Sequence, residues 1–215
     1  MTQPAGQARL LALFAVLVIG LLVTGWQPYE RGTWLLEVFP VFIVMPLLWA
    51  TRQRFPLTPL LTVLVGLHGL VLMVGGAYTY ARVPFGFTLQ DLLHLARNPY
   101  DRIGHFMQGF VPAIAAREVL ARGAYVRGRR MANFLVLCVV LAVSATYELI
   151  EWLTAVLLGA GATDFLGTQG DPWDTQWDMF MALVGSGCAL LGLSRWHDRQ
   201  LAAIPVASVA LPFQR

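Results

Sequence analysis

Six apolar runs, at 10–26, 34–51, 57–80, 103–121, 131–157 and 178–194, leave little of the chain outside them. A helix needs about 20 residues to cross a hydrocarbon core, and short stretches of Pro, Gly, Arg or Asp separate the runs. Inside a bilayer each backbone amide must find its partner within the protein, so such runs become helices rather than open strands or loops. The expectation is an all-α, polytopic integral membrane protein with about six transmembrane helices, a single membrane domain over 1–215. Composition agrees, because charged residues are 13% of the chain against 57% hydrophobic, and a soluble domain carries about 25% charged residues.

The first run follows Arg9 but no A-x-A-like cleavage site precedes Trp26, so it reads as an anchored helix and not a removable signal. The second is interrupted by Pro40 and Pro46 and has Glu37 near one end, a pattern that membrane helices tolerate with a kink. Arginines test the count. Arg9, Arg52, Arg54, Arg117, Arg122, Arg127, Arg129, Arg130, Arg195, Arg199 and Arg215 fall on one side of six alternating spans, and Arg31, Arg82, Arg97 and Arg102 on the other. Positive-inside bias then places both termini in the cytoplasm and the 27–33, 81–102 and 158–177 connections outside.

Net charge is +3, yet the arginines follow topology and form no stripe interleaved with aromatics, so no nucleic-acid partner is expected. Membrane lipids are the expected partners, with 127–130 touching anionic headgroups. The sequence leaves oligomeric state open. Lysine is absent, which disfavours Schiff-base chemistry, and Cys138 and Cys188 lack metal or disulfide spacing and read as small core residues.

Acidic residues gather on the other side. Asp101, Asp164, Asp171, Asp174 and Asp178 lie in or beside the outer connections, and Glu148 and Glu151 in the outer half of the fifth run. The fourth run enters through NPYDRIGHFMQGF, where Asn98 suits an N-cap and Pro99 the first helical position. Asp101, His105 and Gln108 then share one helix face. In YELIEW, Glu148 and Glu151 share another, at a depth where an ionisable group costs on the order of 2.5–3.5 kcal/mol. Two such carboxylates must share a proton, pair with a cation or bind a metal. Asp171 and Pro172 suit the entrance of the sixth run, Asp174 its first turn, and Asp178 lies one turn further on. Gly185, Gly187 and Gly192 suggest close helix packing there. His68 reads as a satisfied interhelical histidine, and His94 and His197 as solvent-side. Trp152, Trp173 and Trp177 read as an aromatic belt.

With alternate spans antiparallel, His105, Glu148, Glu151 and Asp178 reach one depth near the outer surface, with Asp101 as a second-shell or ligating partner. Imidazole with carboxylates suits zinc, manganese or iron. At YDRIGHFMQGF, YELIEW and DTQWDMFMALVGS the chain resembles the YjdF-like family of bacterial inner-membrane proteins. It is more distantly similar to the VanZ-like proteins, whose Asp, His, Glu and Asp positions match Asp101, His105, Glu148 and Asp178. It departs from them at Glu151 and Ala182, where those proteins tend to carry Gln and Asn. The resemblance implies a six-helix, multi-pass protein of the bacterial cytoplasmic (inner) membrane, and supplies no reaction.

Three functions fit the residues. The first is a metal-dependent hydrolase or transferase acting on an amphiphilic or lipid-linked substrate, with His105, Glu148, Glu151 and Asp178 as catalytic groups and Asp101, His105, Glu148, Glu151 and Asp178 as metal ligands. The second is a proton- or cation-coupled transporter, against which stand the absence of a visible inverted repeat and the sparse polar residues toward the inner side. The third is a non-catalytic membrane scaffold with hydrogen-bonded carboxylates. On this reading the last three spans do the work and the first three mainly pack.

Overall fold

The computed structural model describes residues 4–158 and 168–204. Asp164, Arg215 and the 159–167 part of the 158–177 connection lie outside the described residues. Among those described, all regular structure is helical: α1 (Pro4–Trp26), α2 (Arg31–Thr51), α3 (Pro59–Ala77), α4 (Pro84–Leu93), α5 (Tyr100–Arg122), α6 (Arg129–Leu158) and α7 (Asp174–Ala202).

Five of these, α1, α2, α3, α6 and α7, are long and apolar enough to cross a membrane. The protein is a multi-pass membrane protein. With 23 residues α5 matches α1 in length, but it is far less apolar, carrying Asp101, Arg102, Arg117, Glu118 and Arg122. Its position explains how it tolerates them. It packs most extensively against α7 and also against α3 and α6, and Asp101, His105, Arg117, Glu118 and Arg122 are all buried. A central helix shows its polar side chains to protein and not to lipid, which is where ionisable residues are tolerated.

The remaining helices form two groups joined at α3. Leu13, Leu17, Val38, Val41 and Met73 fill the core between α1, α2 and α3. Leu61, Leu64, Ile114, Val136, Val140 and Ala189 fill the core where α3, α5, α6 and α7 meet. Despite its two prolines, α2 is continuous, and Pro40 lines a cavity described below.

The crossing of α5 and α7 is set by glycine. A Cβ on Gly109 would collide with the carbonyl of Ala182, and one on Gly185 with the carbonyl of Phe106, so the two backbones touch. Gly187 and Gly192 have nothing within 4 Å of such a Cβ, so the close packing expected there is confined to Gly185. Cys138 and Cys188 are exposed on the helix surfaces and not in the core, because each falls on the outward face of its helix.

Between α3 and α5 the chain makes a turn that apolar periodicity does not reveal. Thr79 and Tyr80 adopt φ of 50° and 49°, a region rarely used by β-branched or bulky residues. The turn throws the Tyr80 ring back onto Gly75 and Gly104, whose missing side chains leave room for it. The 10-residue α4 follows, inside what was expected to be an irregular connection, with Phe85, Phe87, Leu92 and Leu93 exposed. Such a short, one-sided helix suits the membrane interface. Asn98 pins it, donating to the Val83 carbonyl at 3.0 Å while its Oδ1 accepts from Tyr100 N at 3.0 Å. α5 therefore starts one residue later than expected: Pro99 and not Asn98 is the N-cap and Tyr100 the first helical residue, while Asn98 supports the first turn from one position further back.

Candidate functional site

The first turns of α5 and α7 and the last turns of α6 converge at one end of the bundle. His105 is fixed by Gln108, whose Oε1 lies 2.8 Å from Nδ1. A carboxamide oxygen only accepts, so Nδ1 carries a proton and Nε2 is the nitrogen turned toward the acids. Nε2 faces Asp101 Oδ1 at 3.5 Å and Asp178 Oδ2 at 3.7 Å. Among the described residues, Asp101, His105 and Asp178 are the group whose ligand atoms all lie within 4.8 Å of one another, and all three are buried.

These separations are long for hydrogen bonds and near the value expected of atoms sharing a cation. Ligand atoms held at about 2.1 Å in a tetrahedron lie about 3.4 Å apart. Asp101 Oδ2 and Glu148 Oε1 are buried without hydrogen-bond partners, an arrangement that proteins seldom leave uncompensated. The donor set of one imidazole and two carboxylates suits zinc, manganese or iron, and three protein ligands leave a position open for water or substrate.

Of the five residues expected at the site, these three form the tight group. Glu148 reaches His105 from the Nδ1 side, with Oε1 at 3.8 Å, and is buried. Glu151 is also buried and lines the adjoining cavity. Trp152, Trp173 and Trp177 are exposed around this end, as a belt requires.

Arg97 and Arg102 were assigned only to topology, and here they organise the site. Arg102 binds Asp178 Oδ1 at 2.7 Å, Asp171 at 3.0 Å and Asp174 at 3.3 Å. Arg97 binds Asp174 at 2.6 Å and lies 3.6 Å from Asp101 Oδ2. One oxygen of Asp178 is therefore held by arginine while the other faces His105. Asp101, Asp171, Asp174 and Asp178 gather around two guanidinium groups, and Glu148 and Glu151 add carboxyl groups on the His105 side, so acidic groups outnumber the arginines here.

The first helical group is more than packing. A cavity of 390 Å³ lies between the two groups, and Glu37 from α2, His68 from α3 and Tyr80 line it together with Asp101, His105 and Glu151. Glu37 is buried and accepts a hydrogen bond from the Tyr147 hydroxyl at 3.1 Å. His68 is not the satisfied histidine expected, since its Nε2 is buried with no partner. Sequence reading missed this contribution because Glu37 and His68 are isolated in their own helices. Only a depth comparison of Glu37 with Glu148 and Glu151 offered a hint.

A second polar cluster closes the opposite end of α5. Glu118 Oε1 accepts from Thr58 N and Arg122 Nη1, both at 3.1 Å, and Oε2 from Thr58 Oγ1 at 2.7 Å. His197 Nε2 donates to the same Oε2 at 3.0 Å, while its Nδ1 accepts from Arg117 at 2.9 Å. Arg117 also pairs with Asp198. His197 is thus fully buried and not solvent-side, because α7 continues well past its apolar run and presses this turn onto α5.

The sequence matches the family described as "Predicted membrane protein (DUF2238)" over residues 9–199. It is 60% identical over 185 residues to the inner membrane protein YjdF of Escherichia coli (strain K12), covering 86% of this chain and 88% of that one. No solved structure matches it.

Proposed function

We propose that the chain, which belongs to the DUF2238 family of membrane proteins, is an inner-membrane, metal-dependent hydrolase or transferase acting on an amphiphilic substrate. The observation that carries this reading is His105 Nε2 directed between Asp101 and Asp178 at 3.5 and 3.7 Å, at the polar end of a largely apolar cavity. We assign this end to the outer face, a reading the arginine distribution along the sequence supports.

In this scheme Asp101, His105 and Asp178 hold a divalent cation. Such an ion, when bound, supplies a polarised water or a Lewis acid for the substrate's acyl or phosphoryl oxygen. Gln108 keeps Nε2 in its metal-binding form, and Arg102 orients Asp178. Glu148, with one oxygen unpartnered beside His105, is placed to accept a proton. Glu151 lines the cavity at the same end and adds to the negative field.

Transport has less support. The polar groups at the far end of α5 are engaged with one another around Glu118, and they do not continue a path from the cavity. Elemental analysis of protein purified without chelators tests the proposal. About one equivalent of zinc, manganese or iron is expected, falling at least about tenfold in His105→Ala and Asp101→Asn, as loss of a ligand requires. Wild-type protein that neither retains nor rebinds any of these metals would overturn it.

A further inference from the structure

We infer that the slot between the two helical groups holds the single apolar chain of the substrate, admitted from the bilayer between α2 and α6, and that His68 hydrogen-bonds a polar atom of that ligand. This rests on the reading of Asp101, His105 and Asp178 as the place where an amphiphile reacts. It adds what kind of amphiphile fits.

Shape is the first observation. Beyond its polar end the slot is walled by apolar side chains, among them Val41, Val44, Leu61, Val65, Val111 and Ala115. Asp101 and Ala115 both line it, and the fourteen steps from one to the other advance about 21 Å along α5. An apolar cavity of about 150 Å³ takes one benzene ring, so 390 Å³ is room for roughly fifteen heavy atoms, one apolar chain and not two. Protein interiors do not leave apolar space of this size empty without cost, and in a bilayer the material at hand is lipid.

The second observation is the way in. The walls contributed by α2 and α6 face each other across the slot, yet these two helices do not pack along one another. They are tied near the polar end by the Tyr147–Glu37 hydrogen bond. Leu47 of α2 and Val143 of α6 both line the slot and are themselves exposed, so its edge between these helices lies at the lipid-facing surface and a chain can slide in sideways while its head stays at the level of His105.

The third is His68. Its Nε2 is buried and unpartnered, and His68 is part of the slot lining contributed by α3. An unsatisfied imidazole nitrogen in such a wall keeps its desolvation penalty unless something arrives to pair with it. An ester or hydroxyl group just inside the head of a single-chain lipid is of the right chemistry. A bare hydrocarbon is not.

Photolabelling separates these possibilities. The full chain in nanodiscs is irradiated with a monoacylglycerol carrying a diazirine on its acyl chain, and separately with a diacylglycerol carrying the same chain, and adducts are mapped by mass spectrometry. The expected result is labelling of Leu61, Val65 and Val111 by the single-chain probe. The two-chain probe should mark only outward residues of α3 such as Val63 and Leu67, which are 61% and 48% exposed. Ala115→Phe and, independently, Val65→Trp should cut interior adducts at least about tenfold while metal content stays at the wild-type level. His68→Leu should lower interior labelling at limiting probe about 2- to 10-fold, the loss of one hydrogen bond. Interior positions left unlabelled, or labelled equally by both probes, would overturn the slot, and unchanged labelling in His68→Leu would remove His68 from it. Interior labelling in a metal-free protein would instead count against the metal site alone.

Discussion

The two ends of α5 carry similar chemistry and use it differently. At one end Glu118 has both carboxylate oxygens satisfied, by Thr58, Arg122 and His197, and is fully buried. At the other, Asp101 and Glu148 each keep a buried oxygen without a hydrogen bond, and His105 faces two carboxylates at distances that no hydrogen bond closes. Both ends join α5 to α7 through histidine and acid. The closed cluster has nothing left to offer a ligand, whereas the open one has unsatisfied groups beside a cavity, and a site needs that difference.

Removing Glu118 gives the largest expected effect on folding. Glu118→Ala strands Arg122 and His197 in the interior and frees Thr58 at the start of α3, and breaking a buried pair in this way costs about 3–5 kcal/mol. The unfolding midpoint in mixed SDS micelles would read it. Glu118→Gln keeps an acceptor for Thr58 and should cost less. Equal stability of Glu118→Ala and wild type would erase the distinction between the two ends.

Midway between them, Gly185 holds α7 against the backbone of α5 at Phe106. Gly185→Leu forces the helices apart, and overpacking of this kind costs about 1–3 kcal/mol. Because the same crossing sets the distance from Asp178 to His105, metal content should fall along with the unfolding midpoint. A variant that loses stability and keeps full metal occupancy would show that the open end is positioned independently of the crossing.

Much of this was legible in the chain itself, for physical reasons that also explain the omissions. Long apolar runs have one solution in a bilayer, and Asp101, His105 and Asp178 could be placed together because helix period and alternating direction fix depth. Those rules say nothing about which helix lies beside which. Glu37 and His68 face the same cavity as His105 only because α3 sits against α5. Arg97, Arg102, Arg117 and Arg122 were read only through a topological role, which is silent about pairing. His197 looked solvent-side because it lies beyond the apolar run, where helix length and not hydropathy decides burial. The family resemblance named the group to which the chain belongs and left the site to be built from its residues.

At the open end the expected pattern is reversed. Asp101→Asn removes a ligand, so metal should be lost, yet the folded state should change by less than about 1 kcal/mol or gain stability. An amide relieves part of the crowding of like charges among Asp101, Asp174 and Asp178. The comparison is made on metal-free protein by the same micelle titration used for Glu118. A loss as large as that of Glu118→Ala would mean that Asp101 is a structural carboxylate, and the cation reading of the cluster would go with it.

The smallest effect comes from a carboxylate satisfied at the surface, which sharpens what satisfaction alone is worth. Glu30, before the first turn of α2, accepts from Gly32 N at 2.9 Å and from Thr33 N, and these backbone bonds hold its carboxyl below the usual value of 4.5. A group whose folded value is depressed contributes stability that is fully present above 4.5 and is lost as pH falls through the lowered folded value. Glu30 is mostly solvated, so the contribution should stay below about 1 kcal/mol. Glu30→Gln should therefore lower the unfolding midpoint slightly at pH 7, and the gap from wild type should close in acid, once Glu30 is itself protonated. A gap that persists unchanged below that range would assign the effect to side-chain shape instead of charge. In that case the contrast drawn at α5 would rest on burial as much as on hydrogen bonding.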